Sequence, residues 1–251
     1  MRLIGIVIMS AASVSHALGC ICDIRPPTCY EYWRTDVVFI GTVQKVYRDD
    51  KPPLELEKVE IAVTENFRGM ERPLATTFNY GHSCAHTFNK GDRFLFYGSA
   101  ATEDAGEFGT SLCMRTNRYS DTLDDLEFLR AVRDRRPVYW AWGTISKVGY
   151  DQPLQGIRAE VLGQPRRIAA TSDEKGDIKL EVPKPGKYRI RTYLPKGRTD
   201  INFMIRSDQA LWDMQRKQIV GGRFHGNHPY VDFQVVVEAS RCGWFDVSIP
   251  D

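Results

Sequence analysis

Six cysteines stand at positions 20, 22, 29, 84, 113 and 242, and what they can do depends on the compartment in which the chain folds. An even number of thiols in an exported chain reads as a disulfide framework, whereas in a reducing compartment it suggests metal or redox chemistry. The first nineteen residues set the expectation. Met1 and Arg2 make a short basic start, residues 3–9 are an apolar run, and Ala17-Leu18-Gly19 places small residues three and one before Cys20. This is the pattern of a signal peptide cleaved between Gly19 and Cys20. Ser10, Ser13, Ser15 and His16 interrupt the run well short of the ~20 apolar residues that a membrane span needs, and no later stretch qualifies. The mature chain is therefore expected to be secreted, extracellular or periplasmic, with all six cysteines retained. A cysteine directly after the cut also fits a lipid-anchored protein of the cell envelope. Ala17 stands where lipoprotein signals usually carry Leu, and a lipidated Cys20 would leave an odd number of thiols, so soluble export is favoured.

Charge narrows the partners. Thirty-four Lys plus Arg against thirty-two Asp plus Glu leave a net +2, which provides no bulk field for nucleic acid or a membrane surface. From Thr35 the chain reads as short strands over 36–43, 59–64 and 93–97, with turns at Gly69, Gly81, Gly91-Asp92 and Asp104-Ala105-Gly106. Strands at this spacing without intervening helices suggest a small barrel or sandwich. One helix is predicted over 120–133. Ser120 stands at its N-cap, Asp121, Asp124 and Asp125 complement the positive end of its dipole, and Leu123, Leu126, Leu129 and Val132 form its apolar stripe. Arg133, Arg135 and Arg136 suit its other end, Pro137 stops it, and a domain boundary is expected near residue 136. The second half restarts as strands over 138–148, 156–161, 178–182, 188–193, 230–238 and 244–249, a pattern that argues for an antiparallel sandwich, with a short helix conceivable over 208–219.

Several segments of the first half together resemble the netrin-like module, the barrel of the tissue inhibitors of metalloproteinases. They are Cys20-Ile21-Cys22, Cys29, the strand Val37-Val38-Phe39-Ile40-Gly41-Thr42-Val43, the run Val63-Thr64-Glu65-Asn66-Phe67-Arg68-Gly69, Ser83-Cys84, Gly91-Asp92-Arg93-Phe94-Leu95 and Ser111-Leu112-Cys113. The resemblance implies an all-β chain whose residues 20–136 form an OB-type barrel with one C-terminal helix. It also implies disulfides from Cys20 to Cys84 and from Cys22 to Cys113. In the chain-entropy account, closing loops of about 64 and 91 residues removes on the order of 4 kcal/mol of denatured-state freedom each. In the inhibitors the third cysteine finds its partner near the end of the domain, and this chain offers none there. The remaining thiol is Cys242, so a Cys29 to Cys242 bridge and two unbonded thiols both stay open; six cysteines allow fifteen pairings.

The second half, residues 137–251, resembles the carboxypeptidase regulatory-like domain, a transthyretin-type β-sandwich. The likeness rests on Pro153-Leu154-Gln155-Gly156-Ile157, Thr171-Ser172-Asp173-Glu174-Lys175-Gly176-Asp177-Ile178 and Val182-Pro183-Lys184-Pro185-Gly186-Lys187-Tyr188-Arg189-Ile190. Residues 201–251 carry no such likeness.

If the inhibitor likeness extends to mechanism, the functional site is the mature terminus. A catalytic zinc keeps one position open, and the resemblance implies that the α-amine and carbonyl of Cys20 fill it on a target zinc metallopeptidase. An α-amine titrates near pH 8, so a neutral fraction exists at physiological pH. Ile21 would enter the target's specificity pocket. The alternative is an extracellular or cell-envelope binding or structural module without a peptidase target, in which Cys-x-Cys is a staple. Other groups carry less. His82, Cys84 and His86 would share one face of a strand, but a cysteine in a disulfide is no metal ligand, and His225 and His228 form a looser pair. Trp140 and Trp142 alternate onto one face, where interdomain packing outweighs ligand stacking. No nucleophile elbow, phosphate loop or zinc-peptidase helix occurs, so neither an enzyme nor a cofactor of its own is expected.

Overall fold

The computed structural model describes residues 27–49, 56–80, 84–101, 106–147, 152–194, 204–207, 222–225, 228–238 and 241–249. The expected signal peptide, Cys20, Ile21, Cys22, His82 and the helix considered over 208–219 lie outside them. A seven-residue helix, α1 (Thr28–Arg34), precedes five barrel strands: β1 (Val37–Asp49), β2 (Leu56–Arg68), β3 (Leu74–Tyr80), β4 (Arg93–Ala100) and β5 (Glu107–Gly109). They are hydrogen-bonded in the order β1-β2-β3-β5-β4, and β4 returns to β1 to close the barrel. Among the described barrel strands only the β3–β5 pair runs parallel. This is an OB-type barrel, with β6 (Asn117–Arg118) added alongside β4.

The apolar runs Val37-Val38-Phe39-Ile40 and Phe94-Leu95-Phe96-Tyr97 are buried at every position. A strand that is apolar on both faces needs cover on both. Val37, Phe39, Phe94 and Phe96 fill the barrel with Ile61, Phe88 and Phe108. Phe39 and Phe96 face each other in register with ring centroids 5.0 Å apart. Val38, Ile40, Leu95 and Tyr97 point outward into a second cluster. At Gly41 a Cβ would stand 2.4 Å from Cγ2 of Ile61, so glycine permits the close approach of β1 and β2 where their register shifts.

The predicted helix is α2 (Leu123–Arg133), which begins later than expected. Residues Tyr119–Asp121 instead make a 3₁₀ turn. Ser120 Oγ donates to Asp121 Oδ1, and Thr122, at the N-cap position, donates to the Tyr119 carbonyl. Leu123 therefore falls off the apolar stripe and is 65% exposed. The buried face is Leu126, Phe128, Leu129 and Ala131, with Val132 partly covered. Asp125, expected to serve the helix dipole, is also buried. Arg130 and Arg133 pair with Glu65 and tie α2 to β2. Arg135 closes the helix with φ 56°. Its amide bonds the Val132 carbonyl at 3.0 Å and the Arg136 amide bonds the Ala131 carbonyl at 2.8 Å, the Schellman pattern that usually employs glycine.

The second half contains β7 (Trp140–Lys147), β8 (Arg158–Leu162), β9 (Ile168–Thr171), β10 (Asp177–Glu181), β11 (Gly186–Tyr193), β12 (Met204–Ser207), β13 (Gly222–His225), β14 (His228–Val237) and β15 (Gly243–Ile249). Two sheets, β10-β7-β15-β12 and β13-β14-β11-β8-β9, form the sandwich. Its pairings are antiparallel except that β15 runs parallel to β7, so the end of the described chain lies beside the strand by which it entered. Ala141, Ile145, Ile178, Leu180, Phe245 and Val247 pack against Ala159, Val161, Tyr188, Ile190, Val231, Phe233 and Val235. The Asp173–Gly176 turn forms as expected, with Asp173 Oδ1 accepting from the amides of Lys175 and Asp177.

Because Arg135 occupies a left-handed conformation that costs an L-residue about 1 kcal/mol, Arg135→Gly is expected to raise stability by up to ~1 kcal/mol. The larger unfolded-state entropy of glycine offsets part of this gain. Urea denaturation monitored by tryptophan fluorescence measures the change.

Candidate functional site

The two cysteines expected to staple the functional terminus are described, and they lie on neighbouring loops. Cys84 precedes β4 and Cys113 follows β5; both are disulfide-bonded. Their expected partners, Cys20 and Cys22, lie outside the described residues. The Leu112 amide donates to the Cys84 carbonyl at 2.9 Å, which holds the two loops together. The Cys113 loop is itself clamped to the barrel. Thr110 and Thr116 both donate to the Tyr97 carbonyl at 2.9 Å, the Tyr97 amide donates back to Thr116 Oγ1 at 2.8 Å, and the two hydroxyls are 2.7 Å apart. Cys113 and Leu112 are exposed at the loop tip.

Just inside this loop is a buried polar group that the sequence did not single out. Arg115 donates from Nε and Nη2 to the two carboxylate oxygens of Asp125 at 2.9 and 2.7 Å, and from Nε to Thr28 Oγ1 at 3.0 Å. Thr28 donates to Asp125 Oδ1 at 2.5 Å. Burial acts to lower the Arg115 pKa, but the charge of Asp125 and its hydrogen bonds outweigh burial and hold the guanidinium firmly charged. Burial pushes the neighbouring Tyr97 phenol well above its usual range, and Asp125 adds to the rise. The triad joins the start of α1, the Cys113 loop and α2. An arginine two residues after a cysteine and an aspartate in the first turn of a helix carry no sequence signal for such a pairing.

The guanidinium also lies 5.5 Å from the ring of Trp142, which belongs to the sandwich. Trp140 and Trp142 do share a face of β7, and both are buried between the halves: Phe128 is 5.7 Å from Trp140, and Trp140 meets Trp142 edge to face at 5.8 Å. Lys179 lies 4.3 Å above Trp140 and pairs with Glu127 of α2. Tyr30 of α1 stacks on Trp244 of β15 at 5.6 Å. Beside that stack is the disulfide between Cys29 and Cys242, with Cα atoms 5.5 Å apart. At the rim, Trp33 contacts Arg68 of the barrel and Arg241 of the sandwich at 5.4 and 5.3 Å. The seam therefore contains aromatic, ionic and covalent links together.

The histidines go elsewhere. His86 packs among barrel aromatics, 5.6 Å from Phe88, and its carbonyl accepts from the Asn79 side chain. His225 and His228 are backbone partners in the β13–β14 register. Among the described residues no three His, Cys, Asp or Glu groups are placed to hold a metal ion. No helix among the described residues is long and apolar enough to cross a membrane. Comparison with family models finds no match, and no curated protein matches the chain.

Removing Arg115 alone would leave Asp125 buried and uncompensated. Arg115→Met is expected to cost about 3–5 kcal/mol, and adding Asp125→Leu should recover a large part of the loss. A double-mutant cycle by urea denaturation reads the coupling, and strictly additive losses would contradict a coupled pair. Replacing Cys29 and Cys242 together by serine is expected to lower stability by about 2–5 kcal/mol, measured in the same way.

Proposed function

We propose that the protein is an exported inhibitor of zinc metallopeptidases, built as a netrin-like barrel with a carboxypeptidase regulatory-like sandwich behind it. The inhibitory group in this reading is the mature N-terminus. The Cys20 α-amine and carbonyl chelate the target's zinc at its open coordination position, and Ile21 enters the adjoining specificity pocket. The observation that carries this reading is the backbone hydrogen bond from Leu112 to Cys84, together with the disulfide state of Cys84 and Cys113. Two cysteines separated by one residue span at most about 7 Å of extended chain, so they can staple to two partners only where those partners lie side by side. The Cys84 and Cys113 loops meet that requirement. With the staples in place, the amine is held at an exposed edge of the barrel, and its loss of freedom is met during folding rather than on binding.

Chemistry at the amine provides the test. A metal ligand needs the free base, so inhibition should strengthen as pH rises through the amine's range near 8, after correction for the peptidase's own profile. One alanine added before Cys20 should abolish inhibition of a panel of zinc metallopeptidases while leaving the circular dichroism spectrum and thermal midpoint unchanged. Equal inhibition by the extended and mature forms would sink the mechanism. Intact mass before and after reduction verifies that Cys20 is the first residue, bears no lipid and is disulfide-bonded.

A further inference from the structure

The solvent face of the sandwich contains a groove unrelated to the terminus. It has a volume of about 330 Å³ and is lined by Arg158, Arg167, Ala169, Ala170 and Thr171. It is shallow and open to solvent, so a ligand would rest on it rather than be enclosed. The β8–β9 register puts Arg158 opposite Thr171 and Glu160 opposite Ala169. Ala169 and Thr171 therefore make a floor of small side chains between two guanidiniums, while Ala170 alternates inward against the sandwich core.

Arg158 is held in place, whereas Arg167 is largely exposed. Glu160 accepts from Arg158 Nη2 at 3.0 Å and lies 3.8 Å from Arg167 Nε. Its other oxygen accepts from the Tyr193 hydroxyl, and Arg158 lies 5.5 Å from the Tyr193 ring. The carboxylate thus orients Arg158 and attracts Arg167 across 3.8 Å, and the cluster keeps a net positive charge. Arg158 Nε is withdrawn from solvent and has no acceptor among the described residues. A charged donor left in that state is costly, and it belongs to a side chain that lines the groove. Thr171 adds an exposed hydroxyl on the same face.

We infer that this groove binds a small organic anion, with its carboxylate, sulfate or phosphate gripped by Arg158 and Arg167 and its body resting on Ala169 and Thr171. Guanidinium pairs recognise these oxyanions through paired N–H donors. Pre-orientation of Arg158 by Glu160 lowers its ordering cost on binding. The small floor admits a ring or short chain that a larger side chain at 169 would exclude.

The test is a ¹H–¹⁵N NMR titration of the mature full-length chain at low salt with glucuronate, glucose 6-sulfate, glucose 6-phosphate and neutral glucose. At least one acid should bind saturably, with a Kd on the order of 1 mM and shifts centred on 158–171, while glucose does not bind. The acids that bind identify the oxyanion. Arg158→Gln and Arg167→Gln should each weaken binding about tenfold, and Ala169→Leu should block it by filling the floor. Arg167 and Ala169 are exposed, so their variants keep the fold, which an unchanged thermal midpoint verifies. The inference is overturned if no acid binds saturably, if glucose binds as well as the acids, or if Arg167→Gln and Ala169→Leu bind as the parent does.

Discussion

Strand β7 presents Trp140 and Trp142 to the barrel and Ala141 and Ile145 to the interior of the sandwich, so a single strand belongs to two cores at once. Barrel strands β1 and β4 do the same, with phenylalanines inside and Val38, Ile40, Leu95 and Tyr97 outside. Each half would leave apolar surface in water if it stood alone. An aromatic side chain buries roughly 150–250 Å², and apolar burial contributes about 25 cal/mol per Å², so two indoles at the seam contribute several kcal/mol. The Cys29–Cys242 bond lies within this packing and fixes an arrangement that burial already favours.

Charge supplies direction to a seam that hydrophobicity alone would leave free to slide. Lys179 lies over Trp140 and reaches Glu127, and Arg115 lies near Trp142 while bound to Asp125 and Thr28. A buried pair of this kind adds little net stability over an apolar substitute of the same shape. It does require one geometry, since misplacing either partner leaves a charge in a dry interior. Arg115 is two residues from Cys113, and Thr116, which clamps that loop, is the next residue in the chain. The same network that sets the two halves against each other thus sets the loop on which the proposed inhibitory terminus depends.

The two proposed binding regions differ in kind. The terminal one uses main-chain groups held by covalent staples, with specificity delegated to one apolar side chain. The groove on β8 and β9 uses side-chain cations, one of them oriented by a carboxylate, on a sheet whose opposite face is packed. Binding at either therefore leaves the core between the sheets undisturbed.

Much of the architecture was legible in the chain. Alternating and doubly apolar runs marked the strands of β1, β2, β4, β8, β10, β11, β14 and β15, and the Leu126–Leu129 spacing marked α2, because backbone periodicity is a local property. Helix α1 was not legible: seven residues are too few for periodicity, and it is held by Cys29, Thr28 and Tyr32 reaching distant partners. The start of α2 shifted because Thr122, not Ser120, takes the cap position. An all-β chain in two halves and a cysteine set suited to disulfides follow from the order of the residues. That Cys29 bonds Cys242, that Asp125 neutralises Arg115, that Trp140 and Trp142 close a seam and that Arg158 and Arg167 flank one groove emerges in the folded molecule alone. Each of these depends on residues far apart in the chain arriving at one place, and pairing at that distance leaves no trace in local spacing.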